Sequence, residues 1–276
     1  MSTQDTIVES KNNLESIRKH YKRIIDNGTL MNDSYMRVFF KDRDCTELML
    51  RVILENKSLS IADSELQKDY KNPRGRSAIL DIVAVDSDGK KYDVEVQQES
   101  EGASEKRARY HSGALDVNTL NPGEPFEALP GAFVIFITRD DVLGNNFPIY
   151  HIHRTIDENG KRFNDDACII YVNSQIQDDT ELGRLMHDFH CKDADEMYND
   201  VFAARTRLLK ETSEGVDIMS RELEEIYEAG QESAAKREKI STALRMLADG
   251  VNPELVAKYV ELALEDVKAL DRMQMV

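Results

Sequence analysis

The chain has 276 residues, 41% of them apolar, and a formal net charge of −16. That length allows one large or two small domains with a sizeable core, and no stretch approaches the ~18 apolar residues of a membrane span. The acid excess argues against a constitutive nucleic-acid coat, but it is uneven. Residues 138–200 hold fourteen Asp/Glu against six Lys/Arg, whereas 57–112 hold eleven against ten.

The N-terminal residues lack a basic region followed by an apolar one, so no secretory signal is expected. Cys45, Cys168 and Cys191 are odd in number and widely spaced. That suits free thiols in a reducing cytoplasm.

Apolar spacing predicts a helix over 5–26, ended by Asn27-Gly28. A second helical region spans 33–55, with a break near Lys41–Asp44. Lys71-Asn-Pro-Arg-Gly-Arg76 reads as a basic loop.

Ala78 to Gln97 then reads as a hairpin with a carboxylate inside each strand. Asp81 interrupts an apolar run, where an acid is costly unless paired or bound to a cation. The second strand alternates, with Tyr92, Val94 and Val96 on one face and Asp93, Glu95 and Gln97 on the other. A three-residue loop, Ser87-Asp88-Gly89, makes paired residue numbers sum to 176 and sets Asp81 opposite Glu95. A two-residue loop would move the acids to opposite faces. Facing carboxylates about 5 Å apart call for a cation between them.

Residues 103–119 read as a helix with Lys106, Arg107 and Arg109 near its start. Ala132 to Thr138 is a continuous apolar run, read as a buried central strand. Ile149 to Ile156 and Ala167 to Val172 read as two more strands. From about Asp178 the chain is helical, with one long helix over 214–249 and two short ones after the Asn252-Pro253 cap. Leu255, Val256, Tyr259, Leu262, Val267 and Leu270 are expected to pack there as an acidic helix-turn-helix remnant, suited to dimerisation more than to a DNA groove. The resulting division is an N-terminal helical extension (1–30), an α/β domain (31–212) and a helical C-terminal region (213–276). His151, His153, His187, His190 and Cys191 lack the paired spacing of a zinc finger and read as ordinary surface or core residues.

Several segments in order resemble the PD-(D/E)xK nuclease superfamily, and within it the recombination-promoting nuclease and transposase-like family. They are Asn32-Asp33 through Lys41, Leu80-Asp81-Ile82, Tyr92 to Gln97, Lys106 to Tyr110, Phe133 to Thr138 and Leu185 to Phe189. The resemblance implies a restriction-endonuclease-like mixed sheet flanked by helices, and Mg²⁺-dependent cleavage of DNA, with Mn²⁺ as an alternative ion. Asp81 and Glu95 would hold the metal, with the Val96 carbonyl as a further ligand. Gln97 stands where the superfamily usually has Lys; it can orient water but brings no positive charge. Glu47, or Asp44, would be the added acid from the first helix. Arg74, Arg76, Arg107, Arg109 and Tyr110 would contact DNA, and the C-terminal helices offer a homodimer interface. The rival reading is a catalytically weak or inactive nuclease fold serving DNA binding or protein assembly.

Overall fold

The computed structural model describes residues 19–70 and 77–274. The chain divides into two compact units, Met1–Ser220 and Arg221–Val276.

In the first unit, α1 is described over 19–27. The next helical region is two helices, α2 (Asp33–Phe39) and α3 (Arg43–Ile53). The break falls at Asp42, whose carboxylate accepts the Asp44 and Cys45 N–H groups and so starts a new helix.

β1 (Ile61–Tyr70) follows, in a stretch whose sequence pattern predicts no element. Its many charged residues suit its place at a sheet edge, with much of its length exposed. β2 (Ala78–Asp86) and β3 (Lys91–Gln97) are the two arms of the expected hairpin. Asp86 N–H donates to Lys90 O at 3.0 Å, and Gly89 takes φ +83°, which closes a three-residue loop. The buried Asp86 carboxylate fixes that loop by accepting the Asp88 and Lys90 N–H groups and the Tyr92 hydroxyl. The ladder runs from Val85↔Lys91 to Ile82↔Val94, so paired numbers sum to 176.

α4 (Glu105–Val117) starts at its Ser104 cap, after a 3₁₀ turn at Ser100–Ala103. It leads to β4 (Ala132–Thr138), parallel to β3 and buried along nearly all its length. The expected strand over 149–156 is broken. β5 (Ile149–Ile152) pairs with β8 (Ala167–Asn173), while β6 (Thr155–Ile156) turns away to pair with β7 (Lys161–Arg162). The exit follows an ion pair between Arg154 and Asp165 across that small hairpin.

The six-stranded sheet has the order β1-β2-β3-β4-β8-β5. Its β3-β4-β8 centre is parallel and its outer pairings are antiparallel. α4 lies against this sheet, where Ala108 and Leu115 join Leu80, Val83, Val134 and Phe136 in one core cluster. α2 and α3 pack with α5 (Glu181–His190) and α6 (Asp200–Glu211). Phe39, Phe40, Phe189 and Phe202 form their aromatic centre, with edge-to-face contacts as close as 5.1 Å. The architecture is thus the helix-flanked mixed sheet that the resemblance implied.

The unit boundary falls within α7 (Ser213–Ala248). In the second unit, the end of α7 packs with α8 (Pro253–Val260) and α9 (Leu264–Gln274) around Ala243, Leu247, Val256, Val260 and Val267. Asn252 caps α8 by accepting Glu254 N–H at 2.8 Å. Leu255 and Tyr259 do not join that core; they are 48% and 69% exposed. Val256 and Val260, one turn apart, take the inward face of α8, which sends Leu255 and Tyr259 outward. Among the described residues, no helix is long and apolar enough to cross a membrane.

Candidate metal centre

One residue beyond the last β2–β3 pair, Ile82↔Val94, Asp81 and Glu95 latch onto each other's strands. Asp81 N–H donates to Glu95 Oε1 at 3.0 Å, and Val96 N–H donates to Asp81 Oδ2 at 3.3 Å. Glu95 is fully buried, and Asp81 is partly exposed. Gln67 completes the holding of Asp81, donating Nε2–H to Oδ1 at 3.1 Å. The β1–β2 register sets Gln67 across from Asp81, between the pairs Leu66↔Ile82 and Lys68↔Leu80. Its backbone sits at φ +51°, a conformation that costs a non-glycine residue roughly 1 kcal/mol or more.

Gln97 and Arg107 converge on the other oxygen of Glu95. Gln97 Nε2 donates to Oε2 at 3.3 Å and Arg107 Nη2 donates to the same atom at 2.7 Å. Arg107 lies one helical turn before His111 on α4, facing β3. Its Nε donates to His111 Nε2 at 3.3 Å, and its Nη1 donates to Gly102 O at 2.8 Å. His111 Nδ1 lies 2.9 Å from Asp93 Oδ2 and 3.5 Å from Glu95 Oε1.

Three carboxylates therefore share a largely dry site, and their proton affinities respond. Burial pushes Glu95 up to about 8; the negative charges of Asp93 and Asp81 add, while the Asp81 N–H pulls back. Burial also holds Asp93 well above the usual carboxylate range, with the charge of Asp81 adding. Asp81 is raised by burial, partly offset by Val96 N–H, and then raised further by Asp33 on α2.

Asp33 was missed as a site residue, although Asn32-Asp33 opens the segment that carried the resemblance. The structure puts Glu47 elsewhere. Its Oε2 accepts Ile61 N–H at 2.8 Å and its Oε1 pairs with Arg51. Ile61 pairs with Asp86, five residues along β2 from Asp81, which is about 17 Å at the rise of a strand. Asp44 occupies the first turn of α3, where its N–H donates to the Asp42 cap. Asp93 and His111 were also missed as a pair, because their meeting depends on how α4 packs.

Arg109 and Tyr110 are exposed on α4, away from its buried Ala108 and His111. Arg74 and Arg76 lie outside the described residues. A second cluster, His187, Asp188 and Cys191, brings possible ligand atoms within 4.8 Å of one another. There Asp188 accepts Tyr198 N–H, Asn199 N–H and the Asn199 amide, so it caps the chain ahead of α6.

Asp93, Glu95 and His111 bring possible ligand atoms within 4.8 Å of one another, Asp81 adjoins Glu95 through their reciprocal bonds, and the carboxylate oxygens are the donors that hard divalent cations require. Asp93 Oδ1 is buried with no hydrogen-bond partner, and all three acids are raised, by burial first and by neighbouring carboxylates after it. These residues fit a divalent cation.

No curated protein and no solved structure matches the chain. The family described as PD-(D/E)XK nuclease family transposase matches residues 41–239, a span that includes both strands of the hairpin, α4, β4 and β8. That match covers most of the chain, and the chain belongs to the PD-(D/E)XK nuclease family transposases.

Proposed function

We propose that this protein is a divalent-metal-dependent DNA endonuclease acting in recombination or on mobile elements, with Mg²⁺ or Mn²⁺ as its ion. The observation that carries the reading is the reciprocal latch of Asp81 and Glu95, which joins two raised carboxylates in one oxygen-rich site. Asp81 and Glu95 would hold the cation, with the Val96 carbonyl as a further oxygen and Asp33 adding negative charge nearby. A bound divalent cation supplies Lewis-acid charge to the phosphate and eases ionisation of an attacking water.

Gln97 orients that water. Its Nε2 is tied to Glu95, which leaves Oε1 as the end that accepts a hydrogen bond from the nucleophile. Gln67 keeps Asp81 aimed at the same place. Arg109 and Tyr110, with Arg74 and Arg76, contact the DNA backbone and fix its position without reading sequence.

The test is nicking of supercoiled plasmid, followed on agarose gels. Wild-type protein with Mg²⁺ should convert the plasmid to open circles. Chelation with EDTA, or Asp81→Ala, should abolish the conversion. Nicking that survives Asp81→Ala would sink the site assignment. Metal-dependent cleavage of RNA with intact plasmid would move the substrate class, and no cleavage of either would leave a nuclease fold used for binding or assembly.

A further inference from the structure

The site lacks a cation of its own at Gln97, and the reaction needs one. Phosphodiester cleavage gathers negative charge on the phosphate oxygens, and a fixed positive group beside them is worth far more in a dry site than in water. Among the described residues, the side chains bonded to Asp81 and Glu95 are neutral except for one guanidinium, that of Arg107. We infer that Arg107 is a catalytic residue that supplies positive charge to the scissile phosphate, and that the buried Asp93–His111 pair positions it. The inference rests on the nuclease reading above.

Four observations carry it. Arg107 Nη2 and Gln97 Nε2 meet on the same atom, Glu95 Oε2, so the guanidinium and the side chain of residue 97 end on one carboxylate oxygen. The Arg107 side chain is 36% exposed while Glu95 is 0% exposed, so Arg107 bridges the buried acid and the open side of the site. Three of its five N–H groups are used in these bonds, to His111, Gly102 and Glu95. Its orientation is fixed from behind. Arg107 Nε can only donate, so His111 Nε2 must accept; His111 then carries its proton on Nδ1, aimed at Asp93. Asp93 thus has a role that metal binding alone does not give it. It fixes the tautomer that lets a histidine receive an arginine.

The experiment compares wild type, Arg107→Gln and Arg107→Lys. Each is measured for single-turnover plasmid nicking at saturating Mg²⁺, and for Mn²⁺ affinity by calorimetric titration without DNA. Circular dichroism checks that each variant is folded. Arg107→Gln should slow nicking about 100-fold and leave Mn²⁺ affinity within about threefold, since Asp81 and Glu95 are intact. Arg107→Lys, which keeps a positive charge at this position and leaves Gln97 intact, should retain at least tenfold more of the rate than Arg107→Gln. His111→Phe, which removes the acceptor but keeps the ring, should slow nicking in part and gain nothing further when combined with Arg107→Gln.

Nicking by Arg107→Gln within threefold of wild type would overturn the inference and leave the nuclease reading standing. So would a loss of Mn²⁺ affinity in step with the rate, which would make Arg107 a support for Glu95 alone, or an Arg107→Lys as slow as Arg107→Gln, which would show that the positive charge is not what matters. A wild-type protein that nicks nothing removes both readings together.

Discussion

At the level of single residues, the site depends on groups whose chemistry is ordinary and whose placement is not. Gly102 is one. Its φ is not left-handed, so the backbone there would accept alanine, but a Cβ would collide with Gln97 Oε1 and lie 3.6 Å from Arg107 Nη1. The amide is the flexible end of a side chain, so it would move and the fold would not. Gly102→Ala should therefore keep its melting temperature and slow nicking about ten- to a hundredfold, the scale of an ångström-sized misplacement. If the effect runs through the amide, Gly102→Ala should add nothing to Gln97→Ala in a double-variant cycle. Gln67 makes the complementary point. It accepts a strained backbone in the middle of a strand while its amide holds Asp81, and such strain persists where the surroundings over-determine it.

At the level of elements, buried charge ties segments far apart in sequence. Lys210 on α6 is 6% exposed and donates Nζ–H to the carbonyls of Asp26, Gly28 and Lys192, at 3.3, 2.6 and 2.6 Å. Burial lowers its pKa to about 8. Lys210→Met would keep the length of the stem but leave carbonyls unpaired in a dry pocket. It should cost about 3 kcal/mol in urea-induced unfolding; a cost under about 1 kcal/mol would mean that water takes over those bonds. Nothing in the sequence marks Lys210 among the charges of its helix, and this separates what was legible from what was not. The hairpin was legible because its register follows from three loop residues and a period of two. β4 was legible as an unbroken apolar run. β1 was not, because an edge strand carries the charges that sequence reading assigns to loops. Glu47 was misplaced because helix spacing says nothing about which end of a strand a helix meets. The pairing of Arg107 with Glu95, and of His111 with Asp93, left one trace: two polar residues four apart on the otherwise buried face of α4.

At the level of the whole molecule, an acidic chain concentrates acids where it has least room for them. Its net charge is −16, and Asp93 and Glu95 are both fully buried. That arrangement costs stability until a cation arrives, and the cost depends on pH in a definable direction. The Glu95 carboxyl is raised from its ordinary value of 4.5 to about 8. Between those values the folded protein holds a proton that the unfolded chain has released. The stability this gives is full below the ordinary value and is lost as pH rises through the folded one, so the metal-free protein weakens from about pH 4.5 to about pH 8. A cation competes for the same oxygens. Its binding must expel the proton at low pH and meets a bare carboxylate at high pH, so affinity should rise about tenfold per pH unit for each proton displaced. Thermal melts in EDTA and in excess Mn²⁺ at about pH 6 and about pH 8.5 should then diverge, the metal raising the melting temperature little at the lower pH and by several degrees more at the higher. Glu95→Gln removes both the proton and the charge, so it should flatten the metal-free trend and close the gap between the two melts. A gap that stays constant with pH in the wild type, or survives Glu95→Gln, would show that the cation is held by other residues.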